Sequence, residues 1–158
     1  MQRTLTEGPP DTPLPRPPSL TAVPPTDAAE FRLVVLPSHL DHVAHVNNAV
    51  YAAYLEDAAF ALLADRGWPL VRMLAAGGAL RIGRLDCEYL SDALPGEQLT
   101  VRSWLADRTA WPGSGTQPPP VAQLLQTITR ADGSAVLRAR TDWLWRRQPA
   151  IVGGVPLP

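Results

Sequence analysis

The chain has no lysine: all 14 of its cationic residues are arginine, set against 15 acidic residues for a formal charge of -1 over 158 residues. So balanced a charge gives no field that would recruit nucleic acid or an acidic membrane surface. The arginines accompany heavy use of Ala, Pro and Gly, residues that share GC-rich codons, and we read this as base composition rather than mechanism. One cysteine, Cys87, excludes an intrachain disulfide and fits a reducing compartment. No apolar run approaches the ~20 residues of a membrane span, and the N-terminus has no apolar signal core. The expectation is a soluble, cytoplasmic protein without membrane or nucleic-acid partners. No Gly-x-Ser-x-Gly elbow occurs, which removes the serine-hydrolase reading.

What is abundant is proline, and it is unevenly placed. Residues 1–28 hold Pro9, Pro10, Pro13, Pro15, Pro17, Pro18, Pro24 and Pro25. Proline lacks an N–H and fixes its own φ, so this density prevents helix and sheet ladder alike. The stretch reads as a disordered or loosely docked tail, with 29–148 as the one folded domain and 149–158 as a loose C-terminal tail. That length suffices for a single core.

Within the domain, residues 31–36 (Phe-Arg-Leu-Val-Val-Leu) read as a strand stopped by Pro37. Tyr51, Tyr54, Leu55, Ala58 and Leu62 recur at helical spacing and predict a helix over 48–66, capped by Asn47 or Asn48 and ended by Gly67 and Pro69. A helical turn over 70–76 and four strand-like runs follow, at 80–90, 98–107, 121–130 and 135–147. Gly83 marks a bulge or close approach in the first of these runs. Asp132-Gly133 marks a hairpin between the last two, and the Pro/Gly-rich residues 111–120 form an irregular loop. One strand, a long helix and four strands without βαβ alternation predict an α+β domain, a five-stranded antiparallel sheet around one long central helix.

All three histidines fall in one run, His39-Leu40-Asp41-His42-Val43-Ala44-His45-Val46-Asn47-Asn48, at the strand-to-helix junction. A helix N-terminus can act there on a substrate carbonyl. Asp41 is the only carboxylate between Glu30 and Glu56. It is suited to hydrolytic chemistry, although from the residues alone a turn or cap role, frequent for Asp before a helix, is favoured. Three histidines with Asp41 also suggest a zinc site, but ligand types on a turn do not make one without geometry, and no metal is assigned. Cys87, with no histidine near it in sequence, reads as a small buried side chain.

This run, continued to Tyr51, resembles the Asp-x-Asp-x-x-Gly-His-Val-Asn-Asn-x-x-Tyr pattern of the hotdog-fold thioesterases, in the branch of the 4-hydroxybenzoyl-CoA and acyl-carrier-protein thioesterases. Glu88-Tyr89-Leu90 and Ala93-Leu94-Pro95-Gly96-Glu97 resemble a second stretch of that family. The resemblance spans about residues 31–147. It implies a hotdog fold and hydrolysis of an acyl-CoA or acyl-carrier-protein thioester without a cofactor. It also implies a homodimer or homotetramer with substrate at the subunit interface. Asp41 falls on the family's catalytic aspartate. His45 is suited to orient it, to contact substrate, or to bond a backbone carbonyl. Ala44, Val46, Asn47, Asn48 and Tyr51 fall on the substrate-contacting stretch, although the asparagines are also natural caps and Tyr51 natural core.

Two departures stand out. His39 replaces the first aspartate. Ala44 replaces the glycine whose N–H is associated with the thioester oxygen, a costly exchange if the position needs φ > 0. Arg81, Arg84, Arg102, Arg138 and Arg140 lie on predicted strands, where they would either meet nucleotide phosphate or form a solvated sheet face. The alternative function is a hotdog domain that binds acyl thioesters or a protein partner without hydrolysis. A hydratase is a weaker third reading.

Overall fold

Seven buried positions, Tyr51, Tyr54, Leu55, Ala58, Ala59, Leu62 and Leu63, give the long helix a stripe at i, i+3, i+4 and i+7 that must be covered. A sheet covers it. The computed structural model describes residues 20, 22–107 and 121–147. In chain order these form β1 (Ala29–Val34), a 3-10 turn (Pro37–His39), α1 (Asn48–Asp65), α2 (Leu70–Ala75), β2 (Gly78–Tyr89), β3 (Gln98–Leu105), β4 (Val121–Arg130) and β5 (Ala135–Arg147). The five strands form one antiparallel sheet in the order β1-β3-β4-β5-β2, as the element pattern predicts. The 111–120 loop and the C-terminal tail lie outside the described residues, as does most of the 1–28 tail.

Two apolar clusters divide the helix lengthwise. The half of α1 nearer its N-terminus packs Tyr51, Tyr54, Leu55 and Ala58 against Val35, Val46, Val101, Ile128, Leu137 and Ala139. The other half packs Ala59, Leu62 and Leu63 against Trp68, Met73, Leu80, Leu124 and Trp143. A polar network crosses the boundary. Gln126, 1% exposed, donates from Nε2 to the Leu55 carbonyl at 2.8 Å and to Ser103 Oγ at 3.0 Å. Its Oε1 accepts from Thr141 Oγ1, which accepts from Trp143 Nε1. Buried amides are retained when each group is satisfied, and this one ties β3, β4 and β5 to the middle of α1.

Strand limits differ from expectation by a residue or two. β1 ends at Val34 because its ladder partner β3 starts at Gln98; beyond it, Val35 bonds to the turn at Gly96 and Glu97 instead. Gly83 lies at the shift of register between Ile82 and Arg84, and a Cβ there would meet the Leu144 side chain, which would have to shift to admit it. Gly133, at φ 83, turns the β4–β5 hairpin.

Candidate active site

Asn47 is the N-cap of α1: its side-chain oxygen accepts from the Ala49 N–H at 2.9 Å. Residues 39–46, just before it, are folded back into a closed loop. Asn47 N–H donates to the His39 carbonyl at 2.9 Å, Leu40 and Val46 form an isolated antiparallel bridge, and Asp41 N–H donates to the His45 carbonyl at 2.9 Å. The Asp41 carboxylate stands at the start of the turn. Its Oδ1 accepts from Val43 N–H at 2.9 Å, a local Asx bond that sets the side-chain direction. The residue is half-buried.

Ala44 takes φ 61, alone among the described non-glycine residues in having a positive φ. The position therefore does need the left-handed conformation that its glycine counterpart adopts freely. Its N–H donates to the Asp41 carbonyl at 3.1 Å. The amide associated with a thioester oxygen in the resembling family is thus engaged here by the loop itself.

The His45 ring does not meet Asp41. Its Nδ1 lies 3.6 Å from Asp92 Oδ2, a carboxylate brought in by the loop between β2 and β3. That loop packs on the site through Ala93, whose carbonyl accepts from Val46 N–H and whose N–H donates to the Tyr51 hydroxyl. Arg130 holds the loop from behind: its guanidinium donates to the Asp92 carbonyl, to Ser91 Oγ and, through Nε, to Glu97. Asp92 and Arg130 were absent from the sequence-derived set, because only the folded sheet brings residues so far apart in the chain together.

Of the remaining expected residues, Val46 and Tyr51 are buried, 4% and 3% exposed, and form the wall beneath the loop. Burial raises the Tyr51 hydroxyl above its ordinary value. Asn48 is exposed, and its carbonyl accepts from the Tyr89 hydroxyl at 3.1 Å. His39, the first departure from the family pattern, has Nδ1 3.1 Å from Leu36 N–H and 2.6 Å from the Tyr54 hydroxyl. Tyr54 is pushed up to about 12, chiefly by burial and then by Tyr51, so it stays protonated.

Four of the strand arginines, Arg84, Arg102, Arg138 and Arg140, pair on the sheet. Arg102 binds Glu30 at 2.8 Å, Arg84 and Arg140 share Asp86 at 3.0 and 2.9 Å, and Arg138 faces Glu88 at 3.6 Å. These are cross-strand and neighbouring ion pairs. A cleft of about 520 Å³ beside Arg32, Arg102 and Arg130 includes none of the Asp41 loop. Among the described residues no group of three or more His, Cys, Asp or Glu side chains could hold a metal ion, and no helix is long and apolar enough to cross a membrane.

Residues 35–144 match the model of the thioesterase-like superfamily. The chain belongs to that superfamily. Among solved structures it is similar to a 1,4-dihydroxy-2-naphthoyl-CoA thioesterase from Synechocystis, with 17% identity and a TM-score of 0.64 over 83% of this chain and 90% of that one. A probable thioesterase from Escherichia coli shares 26% identity at a TM-score of 0.59, over 75% of this chain and 83% of that one. A Staphylococcus aureus protein solved in complex with CoA shares 19% identity at a TM-score of 0.66, over 77% and 71%. A comparison with curated protein sequences returns no match. The sheet-around-helix architecture is the hotdog fold of this thioesterase-like superfamily.

Proposed function

We propose that this protein hydrolyses the thioester of an acyl-CoA or an acyl-carrier protein, with Asp41 as the base that activates water or as the nucleophile itself. The observation that carries this reading is Asp41, a half-buried residue whose carboxylate is held by one local N–H, in the closed loop that leads into the N-terminus of α1. Thioester hydrolysis requires attack on the carbonyl carbon, stabilisation of the oxyanion and departure of a thiolate. Asp41 serves the first, and the positive end of α1 favours the second. His45, whose ring faces Asp92, contacts substrate or the leaving group in this reading rather than orienting Asp41. Ala44, Val46, Asn47, Asn48 and Tyr51 shape the floor and rim of this site. CoA as carrier is supported by the CoA complex and the CoA-thioester enzymes among the structural relatives.

A homodimer or homotetramer completes the site in this reading. Leu36, Val43, Leu90 and Leu94 are exposed on the segments that carry it, at 49%, 55%, 40% and 46%. Apolar side chains grouped around a polar loop are what a second copy, or an acyl chain, would cover.

One observation favours a second reading, a domain that binds acyl thioesters without cleaving them: the Ala44 amide is already committed to the Asp41 carbonyl. A thiol-release screen over short, long and aromatic acyl-CoAs decides between them. Release above the spontaneous rate supports hydrolysis; saturable binding with no release supports the alternative.

A further inference from the structure

Between the 3-10 turn and α1, one residue holds three groups, two through its side chain and one through its backbone carbonyl. The His39 Nδ1 faces two donors, the Leu36 N–H at 3.1 Å and the Tyr54 hydroxyl at 2.6 Å. A backbone amide can only donate, so Nδ1 carries no proton and the ring proton of the neutral imidazole sits on Nε2. Tyr54 is 5% exposed, and its ring meets the imidazole edge-on, with centroids 5.3 Å apart. At its backbone end, the His39 carbonyl accepts from Asn47 N–H, the N-cap of the helix that carries Tyr54. His39 therefore touches α1 twice, at its cap and almost two turns in, and the Asp41 loop is the chain strung between His39 and that cap.

We propose that His39 is the positioning residue of the Asp41 loop: it pins the loop's first residue to α1 in the Nε2–H tautomer and so sets where the Asp41 carboxylate stands relative to the helix N-terminus. This rests on the reading of Asp41 as catalyst for its kinetic consequence, but not for its structural one. The physical reason is specific to a neutral imidazole. A proton or a methyl group at Nδ1 would stand against the Leu36 N–H, which can only donate, and break that contact. The Tyr54 hydroxyl would have to turn from donor to acceptor to keep a protonated ring and could not keep a methylated one. Among the described residues the titratable side chain bonded to His39 is Tyr54 on α1. His45 and Asp92 pair with each other, and Asp41 is bonded to Val43 N–H.

Two measurements on the full chain test it. In long-range proton–nitrogen NMR of the imidazoles, with His39 assigned by its loss in His39→Asn, the wild type should show the Nε2–H tautomer at neutral pH. Tyr54→Phe should shift the Nδ1 resonance. An Nδ1–H tautomer, or an imidazolium at neutral pH, overturns the proposal. In steady-state thioester hydrolysis, His39→Ala should lower kcat by about 10- to 100-fold, the penalty of a slightly misplaced reacting group, with KM changed little. His39→Asn, whose amide oxygen takes the place of Nδ1, should restore most of that loss. A wild-type kcat in His39→Ala, or an Asn variant as slow as the Ala variant, overturns it. If His39→Ala does not fold, Tyr54→Phe, which removes only the hydroxyl, takes its place with the same expected direction. A wild type without turnover would refute the hydrolytic reading, and the tautomer measurement would still decide the placement of His39.

Discussion

Replacing Ala44 by glycine should make this protein more stable, although substitution by glycine usually does the reverse. At φ 61 the Ala44 backbone lies in the left-handed region, where the Cβ of an L-residue crowds the following carbonyl at a cost of about 1–2 kcal/mol. Glycine removes that cost. It also frees the unfolded chain, which takes back roughly 0.4–1 kcal/mol. The Ala44 methyl is exposed, so little apolar burial is lost. The hydrogen bonds that impose the angle, Ala44 N–H to the Asp41 carbonyl and Asp41 N–H to the His45 carbonyl, are made by backbone and survive the change. The balance is a gain of about 0.5–1 kcal/mol, or about 2–4 °C in Tm for a domain of this size. Paired thermal melts of wild type and Ala44→Gly by circular dichroism check it. A lower Tm in the glycine variant would mean that residue 44 does not hold a left-handed backbone, and the closed loop would not have this geometry.

Two other substitutions probe the frame that holds the site. Gln126→Leu leaves the hydroxyls of Ser103 and Thr141 without their buried amide partner. It should cost about 2–4 kcal/mol, since each unsatisfied buried group costs roughly 1–3, read as a lower urea midpoint at unchanged slope; a change below about 0.5 would show that the network is dispensable. The Asp86 carboxyl is held below its ordinary value by Arg140 first and Arg84 second. A lowered folded-state value gives stability that is present above the unfolded value and is lost as pH falls through the folded one. The stability difference between wild type and Asp86→Asn should therefore be largest near neutrality and shrink on acidification below the ordinary carboxylate range. A difference independent of pH would contradict the assignment of these ion pairs.

The helix, the hairpin at Asp132-Gly133 and the bulge at Gly83 were legible because each is local: a period of apolar residues, a turn dipeptide, a glycine within a strand run. The loop was legible as a motif, and so was the question it posed at Ala44, whose answer needed a backbone angle. The partners of the site were not legible. His45 meets Asp92 only because the β2–β3 loop folds over the start of α1, and Arg130 reaches that loop from β4. The His39–Tyr54 contact joins a turn to a helix face across 15 residues that no short-range rule relates. Gln126 gave no signal either, since a lone amide in a strand says nothing of which helix carbonyl it will bond. The strand arginines offered two readings in sequence, and the carboxylate partners of Arg102, Arg138 and Arg140 appear only through the register of β1 with β3 and β2 with β5.

The proposed role of Asp41 in hydrolysis stands or falls with Asp41→Asn. An asparagine oxygen can still accept from Val43 N–H, so the turn and the melting temperature should be kept while the carboxylate is lost. With the best substrate from the acyl-CoA screen, kcat/KM should fall by at least about 100-fold, the lower end of what a positioned general base contributes. Turnover within a few-fold of wild type, in a variant that melts as wild type does, would contradict the account.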